Sequence, residues 1–394
     1  MKRDAPFASA RAPRPGAASV GERDGTLFGG TYAGRRVLVT GHTGFKGSWL
    51  ALWLQRLGAH VGGLALPAPL DRPNHLGLLG LRLDEALVDL RDAAAVRTTL
   101  ARFRPEVVFH LAAQPLVRRS YREPAATFDV NVVGLVNLLE AVRATPTVRV
   151  VVNATTDKCY LNRETLRGYR EDDALGGHDP YSASKACAEI VSASYRSSFL
   201  GSDDGRGHPV ALATARAGNV VGGGDWSEDR LLPDLVRAAT TGAPLSIRHP
   251  QSTRPWQHVL EPLAGYLLLG ERLLADPHDA AEAWNFGPDA GAQLSVAKVV
   301  ARFAKHWPAV RCDVASGPHP HEATLLHLDC RKARERLGWR PVWDAERTFE
   351  RTTAWYRRQH ERGEVASHED LDAYIADARR ADAAWTGAAV SQAA

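Results

Sequence analysis

Short runs of β-branched and aliphatic residues alternate with amphipathic stretches through the first half of this chain, and no other feature restricts its fold as much. Strand-like runs lie at Val37–Thr40, His60–Leu66, Ala86–Asp89, Glu106–Leu111, Val148–Thr155 and Pro209–Ala215. Helical stretches are expected at Lys46–Leu57, Asp92–Phe103, Pro124–Ala144 and Tyr181–Phe199. Parallel strands need long crossovers, usually helices, so this rhythm predicts an α/β fold with a doubly wound parallel sheet covered on both faces. After Gly218 the rhythm gives way to longer loops, shorter strands and several helices. Residues 35–217 are therefore expected to be mainly a nucleotide-binding core. Residues 218–360 would be mainly a smaller C-terminal substrate-binding region, interleaved with that core.

The 394 residues are enough for a large core. Charged residues at 24%, hydrophobic ones at 44% and a net charge of +4 with scattered arginines argue against nucleic acid or membrane as the main partner. Cys159, Cys187, Cys312 and Cys330 form no CxxC pair, which fits free thiols in a reducing cytoplasm. Residues 1–34, rich in Ala, Arg, Gly and Pro, lack the apolar segment of a secretory signal and are expected to be a disordered leader. Residues 380–394 are expected to be a second loose tail. The longest apolar run, near Leu263–Leu269, is too short to span a membrane. His319, His321 and His327 lack metal-ligand spacing, and no metal is expected.

The first strand-like run leads into VLVTGHTGFKGSWL, where Gly41, Gly44 and Gly47 keep a GxxGxxG spacing. Glycines at a strand-to-helix turn allow tight bending and close approach of backbone to a pyrophosphate resting on the helix N-terminus. At the first strand of a βαβ series, this reads as a Rossmann-type dinucleotide site. The acidic residue that usually holds the adenosine ribose about 20 residues on is missing, because the second strand runs into Gly62-Gly-Leu-Ala-Leu-Pro67. That position leaves NAD and NADP unresolved. Asp89, in VDLRD, is either an adenine contact or a helix N-cap.

Tyr181 and Lys185, in DPYSASKACAE, lie four residues apart and share a helix face. An ammonium beside a phenol lowers a pKa that starts near ~10, which would make Tyr181 a base for a sugar hydroxyl. The plainer alternative is a surface helix pair. Upstream, a strand ends in Asn153-Ala-Thr-Thr-Asp-Lys-Cys-Tyr160, at the sheet edge where open α/β folds place their ligands. There Thr156 could hydrogen-bond the reacting oxygen, and Asp157 and Lys158 could supply an acid and a base.

The motifs TGHTGFKGSWL, HLAAQPLVRRSY, TTDKCY, YSASKACAE, ARAGNVVGGGDWSEDRLLPD and STRPWQHVLEP occur in this order. From about Phe28 to Tyr356 the sequence resembles the extended short-chain dehydrogenase/reductases, and within them the nucleotide-sugar 4,6-dehydratases of the CDP-glucose branch. The resemblance implies a redox-neutral lyase cycle for deoxysugar synthesis. Tyr181, helped by Thr156 and Lys185, takes the C4 hydroxyl proton as hydride passes to NAD⁺. Water is then lost across C5 and C6, and the hydride returns to C6. The cofactor would lie along Gly41, Thr43, Gly44, Phe45, Gly47, Asp89, Leu90, Leu111, Ala112, Ala113, Tyr181 and Lys185. Gln114, Asn219, Arg230 and Arg254 would hold the nucleotide-sugar. Asn131 would be architectural, and Pro124–Ala144 with Tyr181–Phe199 would form a homodimer interface or else pack within the monomer.

Related dTDP-glucose and GDP-mannose enzymes carry Asp-Glu where this chain has Asp157-Lys158. A lysine takes the C5 proton only with a depressed pKa, and otherwise stabilises the enolate. Both roles stay open for Lys158, beside a plain ion pair. A C4 epimerase, or a dehydratase acting on dTDP-, GDP- or UDP-sugars, is the alternative enzyme. An epimerase needs no acid–base pair beside C5 and C6. A nonenzymatic dinucleotide sensor would not need Tyr181.

Overall fold

The computed structural model describes residues 24–201, 209–289, 291, 293–314 and 325–387. The strands are β1 (Arg36–Thr40), β2 (His60–Ala65), β3 (Asp84–Leu87), β4 (Val107–His110), β5 (Val150–Ala154), β6 (Ala211–Ala217), β7 (Asn219–Val221), β8 (Leu245–Ile247), β9 (Thr253–His258), β10 (Ala283–Phe286), β11 (Gln293–Ser295) and β12 (Cys312–Val314). Seven of them form one parallel sheet in the order β10-β6-β5-β4-β1-β2-β3. The chain runs outward from β1 through β2 to β3, then returns to β4 on the other side of β1. That reversal opens a crevice beyond the C-terminal ends of β1 and β4, where doubly wound sheets bind ligands.

Strand periodicity divides the core. Val37 and Val39 of β1 and Val107 and Phe109 of β4 face helices Phe45–Arg56 and Leu260–Ala275. Leu38 and Val108 point the other way, against helices Ala93–Phe103 and Gly134–Arg143. The region after Gly218 supplies β10 to the main sheet and adds a three-stranded sheet of order β11-β9-β7.

Both ends differ from expectation. The leader expected to be loose through residue 34 is packed from Asp24 onward: Leu27, Phe28 and Tyr32 are buried, and Tyr32 donates to the Leu267 carbonyl at 2.5 Å. Phe28 stacks on Trp385 with ring centroids 5.1 Å apart, so the tail expected at 380–394 is anchored as far as its described residues run, to Gly387. Two aromatic residues, each sparse in its own segment, become a core contact only when the chain ends meet. Residues 1–23 and 388–394 lie outside the described residues.

The long helix also departs from a plain α-helix. Pro124–Phe128 and Gly134–Arg143 are joined through a π-helical turn at Asp129–Val133, a feature often found near functional sites. Among the described residues this run, Pro124–Arg143, rather than Leu263–Leu269, is the one long and apolar enough by composition to cross a bilayer, with mean hydropathy 1.4. It packs behind the sheet through Leu135, Leu138, Leu139 and Val142.

Candidate active site

The turn after β1 is built by its glycines. Gly41 has φ +76°, and a Cβ there would lie 2.8 Å from the Ala112 nitrogen at the end of β4. A Cβ on Gly47 would lie 2.1 Å from the Gly41 carbonyl oxygen. Helix Phe45–Arg56 therefore starts hard against the turn, and Gly44 at its N-cap gives it no side-chain cap. The uncapped N–H groups open into a cleft of about 570 Å³. A bare helix N-terminus beside a turn with no room for a Cβ at Gly41 or Gly47 fits a dinucleotide pyrophosphate.

The cleft gathers residues from across the sequence. Gly41, Thr43, Gly44, Phe45 and Gly47 come from the turn, and Asp89 and Leu90 from beyond β3. Leu111, Ala112 and Ala113 follow β4, and Thr156, Asp157 and Lys158 follow β5. Tyr181 and Lys185 sit on helix Pro180–Tyr195, while Asn219, Arg230 and Arg254 close the far side. Gln114 is the exception. Its side chain accepts from the Leu116 N–H at 2.7 Å and donates to Thr127 at 3.0 Å, so it braces the turn after β4 instead of lining the cleft. Asn131 is architectural as expected: it accepts from the Gln114 N–H at 2.8 Å and donates to Ser184 at 2.9 Å, linking the π-helical turn to the tyrosine helix.

Asp89 does not cap the following helix, because Asp92 does, accepting from the Ala95 N–H at 3.0 Å. Arg91 grips the Asp89 carboxylate at 2.6 Å and holds it below the usual carboxylate range. His42, buried in the glycine turn, meets Glu85 of β3 at 3.0 Å, and its ring fills the space a Cβ on Gly63 would need. Gly62-Gly63 thus makes room on both faces of β2, since a Cβ on Gly62 would strike the Phe103 ring.

Asp157 is 2% exposed. Its Oδ1 accepts from the Thr156 hydroxyl at 3.0 Å, and its Oδ2 has no hydrogen-bond partner among the described residues. Burial raises its pKa, against the pull of Lys158 and Thr156. Tyr181 corrects the sequence expectation of a lowered phenol. Burial pushes it up to about 12, with Thr156 and Arg230 pulling the other way. Lys185 donates to the Ala154 carbonyl at 3.1 Å and is itself lowered to about 8 by burial, opposed by Glu189.

Sequence reasoning missed Lys46. It lines the cleft with its Nζ 3.3 Å from the Tyr266 hydroxyl. Burial, then the charges of Arg230 and Lys185, lower its pKa to about 7, against the pull of Asp157. The available signal was a lone cation inside an otherwise small and apolar helix start. His319 and His321 lie outside the described residues. His327 offers its backbone carbonyl to Tyr169 at 2.9 Å, and among the described residues no cluster of His, Cys, Asp and Glu could hold a metal.

The family model for GDP-mannose 4,6 dehydratase matches residues 38–352. The chain is 47% identical over 329 residues to the CDP-glucose 4,6-dehydratase of Salmonella typhimurium, covering 83% of this chain and 91% of that one. It is 29% identical to the dTDP-glucose 4,6-dehydratase of Streptomyces antibioticus, covering 82% and 92%. The solved dTDP-glucose 4,6-dehydratase of Streptomyces venezuelae with NAD bound superposes with a TM-score of 0.68 at 26% identity, over 83% of this chain and 98% of that one. A seven-stranded parallel sheet, a glycine cradle and a Thr/Tyr/Lys set around one cleft accompany these matches, and the chain belongs to the GDP-mannose 4,6-dehydratase family of extended short-chain dehydrogenase/reductases.

Proposed function

We propose that this protein converts CDP-glucose to CDP-4-keto-6-deoxyglucose and water, using NAD without net reduction. The observation that carries the reading is Asp157. A carboxyl sealed in the cleft beside Thr156 and Lys158, with one oxygen unpartnered and its pKa raised by burial, suits the part of a general acid. A C4 epimerase has no step for such an acid to serve. The substrate's base is taken from the relative at 47% identity.

NAD held along this turn would supply the hydride chemistry between sugar C4 and C6, and its positive charge would favour the Tyr181 phenolate. The chain's residues do the rest. The glycine turn and the helix N-terminus hold the pyrophosphate. Thr156 hydrogen-bonds the C4 oxygen, and Tyr181 takes its proton, with the Lys185 ammonium one helical turn on. Lys158 faces C5, either taking that proton as a free amine or stabilising the enolate as an ammonium. Asp157 gives its proton to the departing C6 hydroxyl. Arg230 and Arg254, with Asn219, bind the substrate diphosphate through planar donor forks.

Helices Pro124–Arg143 and Pro180–Tyr195 present Val133 and Ile190, 49% and 57% exposed, and we assign them to an interface with a second copy of this chain. We assign its work to the cytoplasm, where its four free thiols stay reduced. Incubation with CDP-, dTDP-, GDP- and UDP-sugars plus NAD⁺, followed by mass spectrometry, tests the reading. Loss of one water from CDP-glucose alone is expected. A product of unchanged mass would make the protein an epimerase.

A further inference from the structure

Two ionised side chains are sealed beneath the strand end that carries Thr156, Asp157 and Lys158. Glu189 and Arg216 are each 3% exposed and pair at 2.9 Å. The carboxylate also accepts the Thr155 hydroxyl on Oε1 and the Thr214 hydroxyl on Oε2, the latter at 2.7 Å. Arg216 Nη1 donates to the Tyr160 hydroxyl at 2.7 Å and to the Glu171 carbonyl at 3.0 Å, with its guanidinium 4.8 Å over the Tyr160 ring. The Tyr160 hydroxyl passes on to Asn285 at 2.8 Å.

Residues 155 and 160 therefore bracket Thr156, Asp157 and Lys158, and both ends of that arch are tied to one ion pair. Glu189 belongs to the helix that carries Tyr181 and Lys185, four residues beyond the lysine and on the same side. Burying two charges costs several kcal/mol per ion, and well-packed apolar side chains of similar volume are often as stable or more so. Stability alone gives no reason to keep this pair. The groups that must meet one sugar ring come from two separate elements, and the pair joins those elements.

We propose that Glu189 and Arg216 are positioning residues whose ion pair sets the register of the Thr156–Asp157–Lys158 arch against the Tyr181 and Lys185 face of the helix. The proposal rests on the dehydratase reading above, and two readouts keep the two apart. Amide hydrogen exchange follows the arch without any substrate, and kcat and KM for CDP-glucose follow its consequence.

The test compares Glu189→Gln with the double variant Glu189→Met, Arg216→Met. The double variant removes both charges and leaves neither group stranded. Exchange at residues 155–160 should rise while residues 180–195 stay protected. KM should hold within about three-fold and kcat should fall about 100-fold, the loss typical of a 1 Å misplacement. A folded double variant with wild-type kcat and unchanged exchange would overturn the proposal, since the pair would then be structural only. If the double variant does not fold, Glu189→Gln decides by the same exchange and kcat criteria. If wild-type protein releases no water from CDP-glucose, the functional reading fails, and the exchange comparison still decides whether the pair holds the arch.

Discussion

Replacing Gly47 with alanine should separate cofactor binding from folding. The new Cβ would lie 2.1 Å from the Gly41 carbonyl oxygen, 2.7 Å from the carbon of that carbonyl and 2.8 Å from the His42 Cα. All three are backbone atoms, so no side-chain rotation relieves the clash. Comfortable non-bonded separations begin near ~3.5 Å, so the helix start must retreat from the turn by about 1 Å. Overpacking of this kind costs about 1–3 kcal/mol. Alanine in place of glycine inside a helix recovers about 1 kcal/mol. The net loss is then about 0–2 kcal/mol, which the fold survives. Cofactor binding has no such compensation, because the same retreat moves the uncapped N–H groups away from the pyrophosphate. A displacement of about 1 Å is worth about two orders of magnitude, so Kd for NAD⁺ should rise about 100-fold while the melting temperature drops a few degrees. Calorimetric titration beside a thermal melt reads both. Wild-type affinity in a folded Gly47→Ala variant would refute the cradle as the cofactor site.

Tyr181→Phe should lose nearly all turnover yet keep fold and nucleotide-sugar binding; activity within a few-fold of wild type would put the base elsewhere. Lys158→Ala should still oxidise C4 and then stall with reduced nicotinamide absorbance and a 4-keto sugar that retains its C6 hydroxyl. Asp157→Asn should instead take solvent deuterium at C5 but release water about 10²–10⁴-fold more slowly, as trapped-sugar mass analysis would show. Lys46 bears on pH. Its folded pKa of about 7 lies below the usual lysine value of 10.5, so between those values the unfolded chain binds the extra proton and stability rises with pH. Lys46→Met should remove that rise in melts compared at about pH 6 and about pH 9, and an unchanged slope would count against a buried neutral amine. Phe28→Ala, which empties the contact between the chain ends, should cost about 3–5 kcal/mol of stability in denaturant unfolding, with little change in KM.

Much of the architecture was legible because it is written in local patterns. Alternating aliphatic and amphipathic runs identify strands and helices, and the glycine spacing marks where a dinucleotide meets the backbone. The Tyr181–Lys185 spacing and the Thr156-Asp157-Lys158 run point to chemistry because residues four apart on a helix, or adjacent at a strand end, stay together in any fold that keeps those elements.

Other features exist only through contacts distant in sequence. Gln114 was expected to meet substrate, yet Leu116 and Thr127 take up its amide. Lys46 was passed over because its burial depends on Tyr266, 220 residues away. The Tyr181 phenol was expected to be lowered by a lysine four residues on, but pKa depends on the whole surrounding dielectric, and burial raises it. Phe28 joins the core only because Trp385 comes to meet it. Periodicity and spacing act over one or two turns of chain and are visible in the letters. Burial, charge coupling and the partner of a polar atom are sums over everything within a few ångströms, and only the folded chain decides what lies there.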